Sequence, residues 1–141
     1  MLYLDTAVLV TLFVDEDTSA AVQSWLSRRK QEFACSDWSL TEATSALGIK
    51  VRRGDLDSEA ALRIQERIVQ FVSQQCTCLP CLRPHHQQAS AWLTRFELGL
   101  RAGDALHLAV AAANGATIAS YDKTMLIGAK ALGLKAANPL A

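Results

Sequence analysis

Short apolar runs alternate along this chain with longer segments whose apolar residues recur every three or four positions. The longer segments predict helices, and the stretch from Ala61 to Val72 is one example. The short runs predict strands over residues 2–4, 33–35, 76–82, 117–120 and 134–137. Strands that alternate with helices build a mostly parallel sheet with helices on both faces. We therefore predict an α/β fold with a central sheet of about five strands.

Two helix starts bear on the chemistry of the chain. Ser39 to Glu42 has the S-x-x-E form of a capping box, so we expect a helix to begin there and to stop at Gly54. Asp104 opens the segment DALHLAVAAAN, which is so apolar that its helix must be buried. Glu42 and Asp104 would then each lie in the first turn of a helix.

The length and composition fit one domain over residues 1–141. Half of the residues are apolar, so the core needs no metal or disulfide. The 14 basic and 14 acidic residues balance, which excludes a generally basic nucleic-acid binder. The first apolar stretch is broken by Asp5 and has no basic leader, and no apolar run reaches the roughly 18 residues that span a bilayer. We expect a soluble, cytoplasmic protein without a membrane segment.

Four acidic residues stand where strands give way to helices. Asp5 ends the first predicted strand and Asp122 lies just beyond the fourth, while Glu42 and Asp104 begin helices. Parallel sheets bind ligands outside the carboxyl ends of their strands, so these four side chains are expected to converge there. Two carboxylates about 4 Å apart repel by roughly 4 kcal/mol at an effective dielectric of 20. Four together favour a bound hard cation such as Mg²⁺ or Mn²⁺, which prefers oxygen ligands.

Each acid also has a structural alternative. Asp5 could cap the helix that follows it. Glu42 could serve only the capping box, and Asp122 could belong to a polar turn. The helix dipole explains the sign of Asp104 but not its burial. His107, one turn further along the same helix, is interpreted as a packed core histidine rather than a catalytic base.

The cysteines raise the question of zinc. Residues 76–86 read C-x-C-x2-C-x3-H-H, formed by Cys76, Cys78, Cys81 and two histidines. Thiolate and imidazole are the usual ligands of zinc, but this spacing differs from the common paired motifs. We favour Cys76 and Cys78 as small hydrophobic side chains on one face of a strand, and a redox or metal role stays open.

Four short motifs occur in order along the chain: LDT at residues 4–6, LTEA at 40–43, RAGDALHLA at 101–109 and SYD at 120–122. Together they resemble the PIN-domain nucleases and, more narrowly, the VapC-type toxins of bacterial toxin–antitoxin pairs. The resemblance runs over essentially the whole chain, and the third motif is the most specific. It implies a three-layer PIN-like domain and a metal-dependent endoribonuclease.

The resemblance also implies roles for individual residues. The catalytic set would be Asp5, Glu42, Asp104 and Asp122. Within that set Asp5, Asp104 and Asp122 would bind Mg²⁺ or Mn²⁺, with Asp122 serving a second metal if there is one, and Glu42 would act directly or through a metal-bound water. The supporting residues would be Thr6, Arg101 and Ser120. Thr6 would hold the first aspartate or a substrate phosphate, and Arg101 would balance the acidic charge unless it is an ordinary turn residue.

The resemblance further implies an RNA substrate, of which transfer and ribosomal RNA are examples, a cognate antitoxin and a homodimer. Basic runs at residues 28–30 and 50–53 could contact RNA phosphates, or could simply be solvated helix ends. The stripe from Ala61 to Val72 could face a partner or the protein's own core. Neither the RNA target nor the number of metals follows from the residues.

Non-catalytic alternatives also gather acids at strand ends. A receiver-like regulatory domain would have adjacent acids after the first strand, whereas Asp5 stands alone there. A phosphatase of the haloacid dehalogenase type would have Asp-x-Asp, and residue 7 is alanine. A degenerate PIN domain that only binds protein is harder to distinguish, although four retained acids argue against it.

Overall fold

A computed structural model describes all residues from 1 to 141. Its five strands form one sheet, in which every pairing is parallel. The strands are β1 (Leu2–Leu4), β2 (Phe33–Ser36), β3 (Cys76–Leu79), β4 (Thr117–Ala119) and β5 (Ala136–Ala137). Their order across the sheet is β3-β2-β1-β4-β5. The predicted α/β fold is confirmed, and the sheet is parallel throughout.

Seven α-helices and one short 3₁₀ helix connect or flank these strands. The α-helices are α1 (Thr6–Thr11), α2 (Ser19–Ser27), α3 (Asp37–Arg52), α4 (Ser58–Gln75), α5 (Arg83–Leu93), α6 (Ala102–Ala113) and α7 (Lys123–Ala131), and the 3₁₀ helix covers Phe96–Leu98. The first helix ends at Thr11, although the apolar run that begins at Thr6 continues to Val14. None of these helices combines the length and the apolar character needed to cross a membrane.

The central strand β1 fixes the position of the carboxyl edge. It pairs with β2 on one side and β4 on the other, and Leu2, Tyr3 and Leu4 are all buried. After β3 the chain returns to place β4 next to β1, so the strand order reverses there. Open α/β sheets bind ligands at such a reversal, beyond the carboxyl ends of the strands. Asp5 follows directly at that edge, and its N–H donates to the carbonyl oxygen of Ala119 at 3.1 Å.

Successive side chains of β1 point to opposite faces of the sheet, as the pleat requires. Leu2 and Leu4 pack into a cluster with Val22 and Leu26 of α2. Tyr3 belongs to the cluster on the other face, together with Leu108 of α6 and the helices beside it. A third cluster joins α1, α3 and α4. The hydroxyl of Tyr3 is thereby directed toward α6.

The predicted N-cap of α3, Ser39, is wrong by three residues. Ser36 occupies the N-cap position and α3 begins at Asp37. The Oγ of Ser39 accepts from the backbone N–H of Ser36 at 3.0 Å, so a second serine takes the place of the expected glutamate. Glu42 therefore lies in the second turn of α3 rather than the first. Its carboxylate has no capping duty, which removes the structural alternative for this residue.

The interpretation of the cysteines is correct only in part. β3 ends at Leu79, and Cys76 packs against the core cluster that contains Cys35. Cys78 is instead exposed, and its thiol contacts Oδ1 of Asp37 at 3.7 Å. Although the residue is exposed, partial desolvation of its thiol, with the nearby Cys35 and Asp37, raises the pKa of Cys78 to about 12. A thiol with so high a pKa is a weak nucleophile.

The apolar stripe of α4 faces the protein's own core. Ala61, Ile68 and Val72 are buried and pack against α1 and α3. Leu62 on the opposite side of the helix is 65% exposed. The stripe is therefore not an open surface for a partner.

We predict that Ile68→Ala lowers the free energy of unfolding by about 2–5 kcal/mol, because it leaves a cavity in a filled core. Leu62→Ala on the same helix is the matched control and should change it by less than about 0.5 kcal/mol. Urea unfolding followed by circular dichroism measures both values. Equal losses in the two variants would contradict the assignment of the buried face.

Candidate active site

A cleft of about 370 Å³ opens at the carboxyl ends of β1 and β4. All four predicted carboxylates line it: Asp5, Glu42, Asp104 and Asp122. They come from the end of β1, the second turn of α3, the first turn of α6 and the start of α7. The expected convergence is therefore found, while the catalytic role of the four stays a prediction.

Asp5 is the most deeply buried of the four, with 4% of its surface exposed. Its Oδ1 accepts from the N–H of Ala7 at 2.5 Å, so it caps α1 as the structural alternative predicts. Capping uses one oxygen of the Asp5 carboxylate, and the residue still lines the cleft. Burial raises the pKa of Asp5 above its ordinary 3.8, against the lowering effects of Ser120 and His107. Its ionised form is thus held in an unfavourable environment.

Asp104 lies in the first turn of α6 and is only half buried. Its Oδ2 accepts from the backbone N–H of Arg101 at 3.1 Å. Desolvation by burial raises the pKa of Asp104, and the nearby charges of Asp122 and Glu42 raise it further. The carboxylates of Asp104, Asp122 and Glu42 therefore repel one another.

Asp122 stands exposed at the rim and caps α7, since its Oδ1 accepts from the N–H of Met125 at 2.8 Å. The buried Ser120 supports it, because its Oγ accepts from the N–H of Asp122 at 3.0 Å. Ser120 therefore shapes the turn that carries Asp122. The polar-turn alternative for Asp122 is compatible with its place in the cleft.

The side chain of Arg101 is exposed and forms no ion pair with any of the four carboxylates. It lies with Asp104, Asp122 and Thr124 around a second, polar cleft of about 340 Å³ next to the first. Arg101 therefore makes no direct contact of opposite charge with the acids, and its expected role in balancing their charge stays a prediction. The positive group in the main cleft is Lys50, whose Nζ lies 2.5 Å from Oε1 of Glu16.

The carboxylate of Glu42 contacts the buried imidazole of His107. The imidazole of His107 is 1% exposed, and its Nε2 lies 2.8 Å from Oε1 of Glu42. The same nitrogen lies 3.0 Å from Oγ1 of Thr6, so Thr6 contacts the histidine rather than Asp5. Burial works to raise the pKa of Glu42, but the hydrogen bonds from His107 and Thr6 outweigh it and the pKa falls below its ordinary value. The pKa values of Glu42 and Asp5 are therefore shifted in opposite directions.

Sequence reasoning placed His107 correctly in the core but missed its contact with the site. Sixty-five residues separate it from Glu42, and no local pattern links the two. It also missed Glu16 and Tyr121, which line the cleft. The hydroxyl of Tyr121 lies 2.7 Å from Oγ1 of Thr11. Only the packing of α1 against the loop after β4 brings these groups together.

The donor chemistry of the cleft fits a hard divalent cation. Five carboxylates line it against a single lysine, and carboxylate oxygens are the ligands that Mg²⁺ prefers. No group of three or more acidic, histidine or cysteine side chains stands close enough together to form a ready metal cage. Mg²⁺ is commonly held by one or two carboxylates with waters and substrate phosphates, so this open arrangement suits it.

The protein-family comparison matches residues 2–129 to the PIN domain. The chain belongs to the PIN domain family. Among curated proteins, no significant match was found.

Solved structures of toxin–antitoxin proteins share the fold of this PIN domain. FitAcB from Neisseria gonorrhoeae is 20% identical with a TM-score of 0.75, and the match covers 99% of each chain. VapC20 of Mycobacterium tuberculosis, a sarcin–ricin loop cleaving toxin, is 18% identical with a TM-score of 0.74, covering 95% of this chain and 96% of that one. VapBC2 of Rickettsia felis, bound to a promoter DNA fragment, is 17% identical with a TM-score of 0.67, covering 98% of each chain. At these identities the likeness establishes the fold alone.

We predict that Asp5→Asn stabilises the metal-free PIN domain at neutral pH. The raised pKa of Asp5 means that the folded protein binds this proton more tightly than the unfolded chain does. Stability is therefore lost as the pH rises above 3.8 toward the folded-state pKa. Asparagine cannot ionise and caps a helix about as well as aspartate.

Urea unfolding in the presence of a chelator, from pH 4 to pH 8, measures this effect. The advantage of Asp5→Asn should be largest at pH 8 and should shrink toward pH 4. Asp15→Asn, at an exposed residue, is the control and should show no such trend. A variant that is less stable than the wild type at pH 8 would contradict the prediction.

Proposed function

We propose that this PIN domain is a Mg²⁺- or Mn²⁺-dependent endoribonuclease and the toxin of a type II toxin–antitoxin pair, with residues 1–141 as a single nuclease domain. The observation that carries the proposal is the cleft, in which carboxylates from four separate elements meet at the strand-order reversal. Membership of the PIN family supports it independently. Because the substrate would be cellular RNA, we place the activity in the cytoplasm.

In this proposal Asp5, Asp104 and Asp122 hold the cation, and Glu42 acts directly or through a metal-bound water. A bound divalent cation supplies charge neutralisation of the phosphate and a water of lowered pKa. The protein side chains then position the RNA. Buried Asp5 sits at the floor of the cleft and exposed Asp122 at its rim, so a phosphodiester would enter from the rim side.

Positive charge outside the carboxylate set would help RNA to approach an acidic cleft. Arg101 is exposed beside Asp104 and Asp122, and it has no ion-pair partner. We propose it as a phosphate contact rather than a neutraliser of the acids. Lys50 is already engaged by Glu16, so the basic run that contains it is less available for RNA.

We predict that Asp5→Asn and Asp104→Asn each lower the rate of RNA cleavage by more than about 100-fold. Loss of an outer-sphere partner of a metal site already costs about 10- to 100-fold, and loss of a direct ligand should cost more. The assay is cleavage of total RNA by the purified, partner-free protein with Mg²⁺ or Mn²⁺. A chelator should abolish activity equally.

Asp15→Asn serves as the matched control, since it removes one surface carboxylate outside the cleft. Cleavage that survives both cleft substitutions would show that the site is wrong or that a contaminant acts. Absence of cleavage by a folded, metal-binding wild type would favour a PIN domain that only binds protein, or one with a narrow RNA target.

We also propose a homodimer and a cognate antitoxin as partners. Solved relatives of the same fold include a toxin–antitoxin complex from Klebsiella pneumoniae. Large apolar side chains of this chain are exposed and offer contact surface, among them Phe96 and Ile127. Light scattering of the purified protein at micromolar concentration should give a mass near twice 15.3 kDa. A single species at the monomer mass would contradict the dimer.

A further inference from the structure

A buried polar network lies directly beneath the acidic cleft. The hydroxyl of Tyr3 is 2.7 Å from Nδ1 of His107 and 2.8 Å from Oγ of Ser36. Nε2 of the same imidazole reaches Glu42 at 2.8 Å. Tyr3, Ser36 and His107 are at most 1% exposed. The network therefore runs from the central strand to a single carboxylate of the cleft.

The hydrogen bonds of this network can be given a direction. An ionised Glu42 only accepts, so Nε2 of His107 must carry the hydrogen that lies between them. In the neutral imidazole Nδ1 then has a lone pair and accepts from the hydroxyl of Tyr3. That hydroxyl in turn accepts from Ser36. Each of these hydrogen bonds thus has a defined direction, and the imidazole is held at both nitrogens.

Burying such a network destabilises the fold unless every polar group in it is hydrogen-bonded. A tyrosine and a histidine in the centre of an apolar fold lose their hydration, and each unpaired polar group would destabilise the protein. An apolar pair of similar shape would fill the same space without that requirement. The pair of Tyr3 and His107 adds an Nε2–H donor that is fixed in position and points at Glu42.

The backbone of α6 packs against the Glu42 carboxylate at Gly103. A Cβ on Gly103 would stand 2.7 Å from Oε2 of Glu42 and 3.3 Å from the indole nitrogen of Trp38. Only glycine allows α6 to approach the carboxylate this closely. Oε1 is therefore bonded and Oε2 is confined, which leaves the carboxylate little freedom to turn.

We propose that His107 is a positioning residue that fixes the orientation of the Glu42 carboxylate, and that Tyr3 orients the imidazole for this task. This inference rests on the proposed function, in which Glu42 acts on the metal or its water. His107 borders the cleft with only 1% of its surface exposed, and it acts through Glu42.

Two substitutions separate this role from simple filling of space. His107→Gln keeps an amide donor near the place of Nε2 and can still reach Glu42. His107→Asn is shorter, so it can reach Tyr3 but not Glu42. We expect His107→Asn to lower kcat for cleavage of a randomised fluorogenic RNA by about 10- to 100-fold with little change in KM. His107→Gln should retain most of the activity, and Tyr3→Phe should lower kcat in the same direction.

His86→Gln is the matched control, because His86 is an exposed histidine at the start of α5. It should leave kcat and KM unchanged. Equal losses in His107→Gln and His107→Asn would overturn the proposal, since only the loss of core packing would then explain them. Full activity in His107→Asn would overturn it as well.

Two readouts do not depend on RNA cleavage. A long-range ¹H–¹⁵N spectrum of the histidine rings should show His107 protonated at Nε2, with a resonance that moves in Glu42→Gln and stays in Asp15→Asn. The affinity for Mn²⁺ alone, measured by water-proton relaxation, should fall in His107→Asn and be kept in His107→Gln.

If the wild type cleaves no RNA, the proposed function fails, and these two readouts still decide the role of His107. An unmoved resonance, or equal Mn²⁺ affinity in both variants, would overturn it.

Discussion

The parallel pairing of β1 with β2 and β4 is the constraint on which the rest of the structure depends. It places a three-residue strand at the centre of the sheet, with all of its side chains buried. Because the pleat alternates, Leu2 and Leu4 fill one apolar layer while Tyr3 faces the other. The strand then ends at Asp5. One short segment thus delivers a carboxylate to the cleft and anchors the hydrogen-bond network below it.

Burial and hydrogen bonding act in opposite directions on the carboxylates of the cleft. Asp5 and Asp104 lose hydration, and burial raises their pKa values despite the lowering effect of nearby His107. Glu42 loses hydration too, but the imidazole of His107 and the hydroxyl of Thr6 keep its pKa low. One cleft therefore contains acids whose pKa values are shifted in opposite directions. A cation bound there would favour the ionised forms of Asp5 and Asp104.

The local sequence accounts for much of the architecture. Apolar runs located all five strands, and helical spacing located α3, α4 and α6, each to within a few residues, because each element must bury one face. Competing side chains caused the larger errors. The S-x-x-E pattern assigns the helix cap to Ser39 and Glu42, but Ser36 and Ser39 form it. The strand pattern places Cys78 in the core, but it lies exposed on an edge strand. A pattern of residue types does not decide between two nearby serines, or between two faces of an edge strand.

The sequence by itself determined that carboxylates would meet at the carboxyl edge, since strand direction and element order require it. Only the tertiary structure decided which groups contact each carboxylate. Glu42 and His107 are joined through the packing of α3 against α6, and Tyr3 reaches His107 across 104 residues. Arg101, which is adjacent in sequence to the site, points to solvent instead. Such contacts depend on the distance and angle between packed elements, which residue spacing along the chain does not encode.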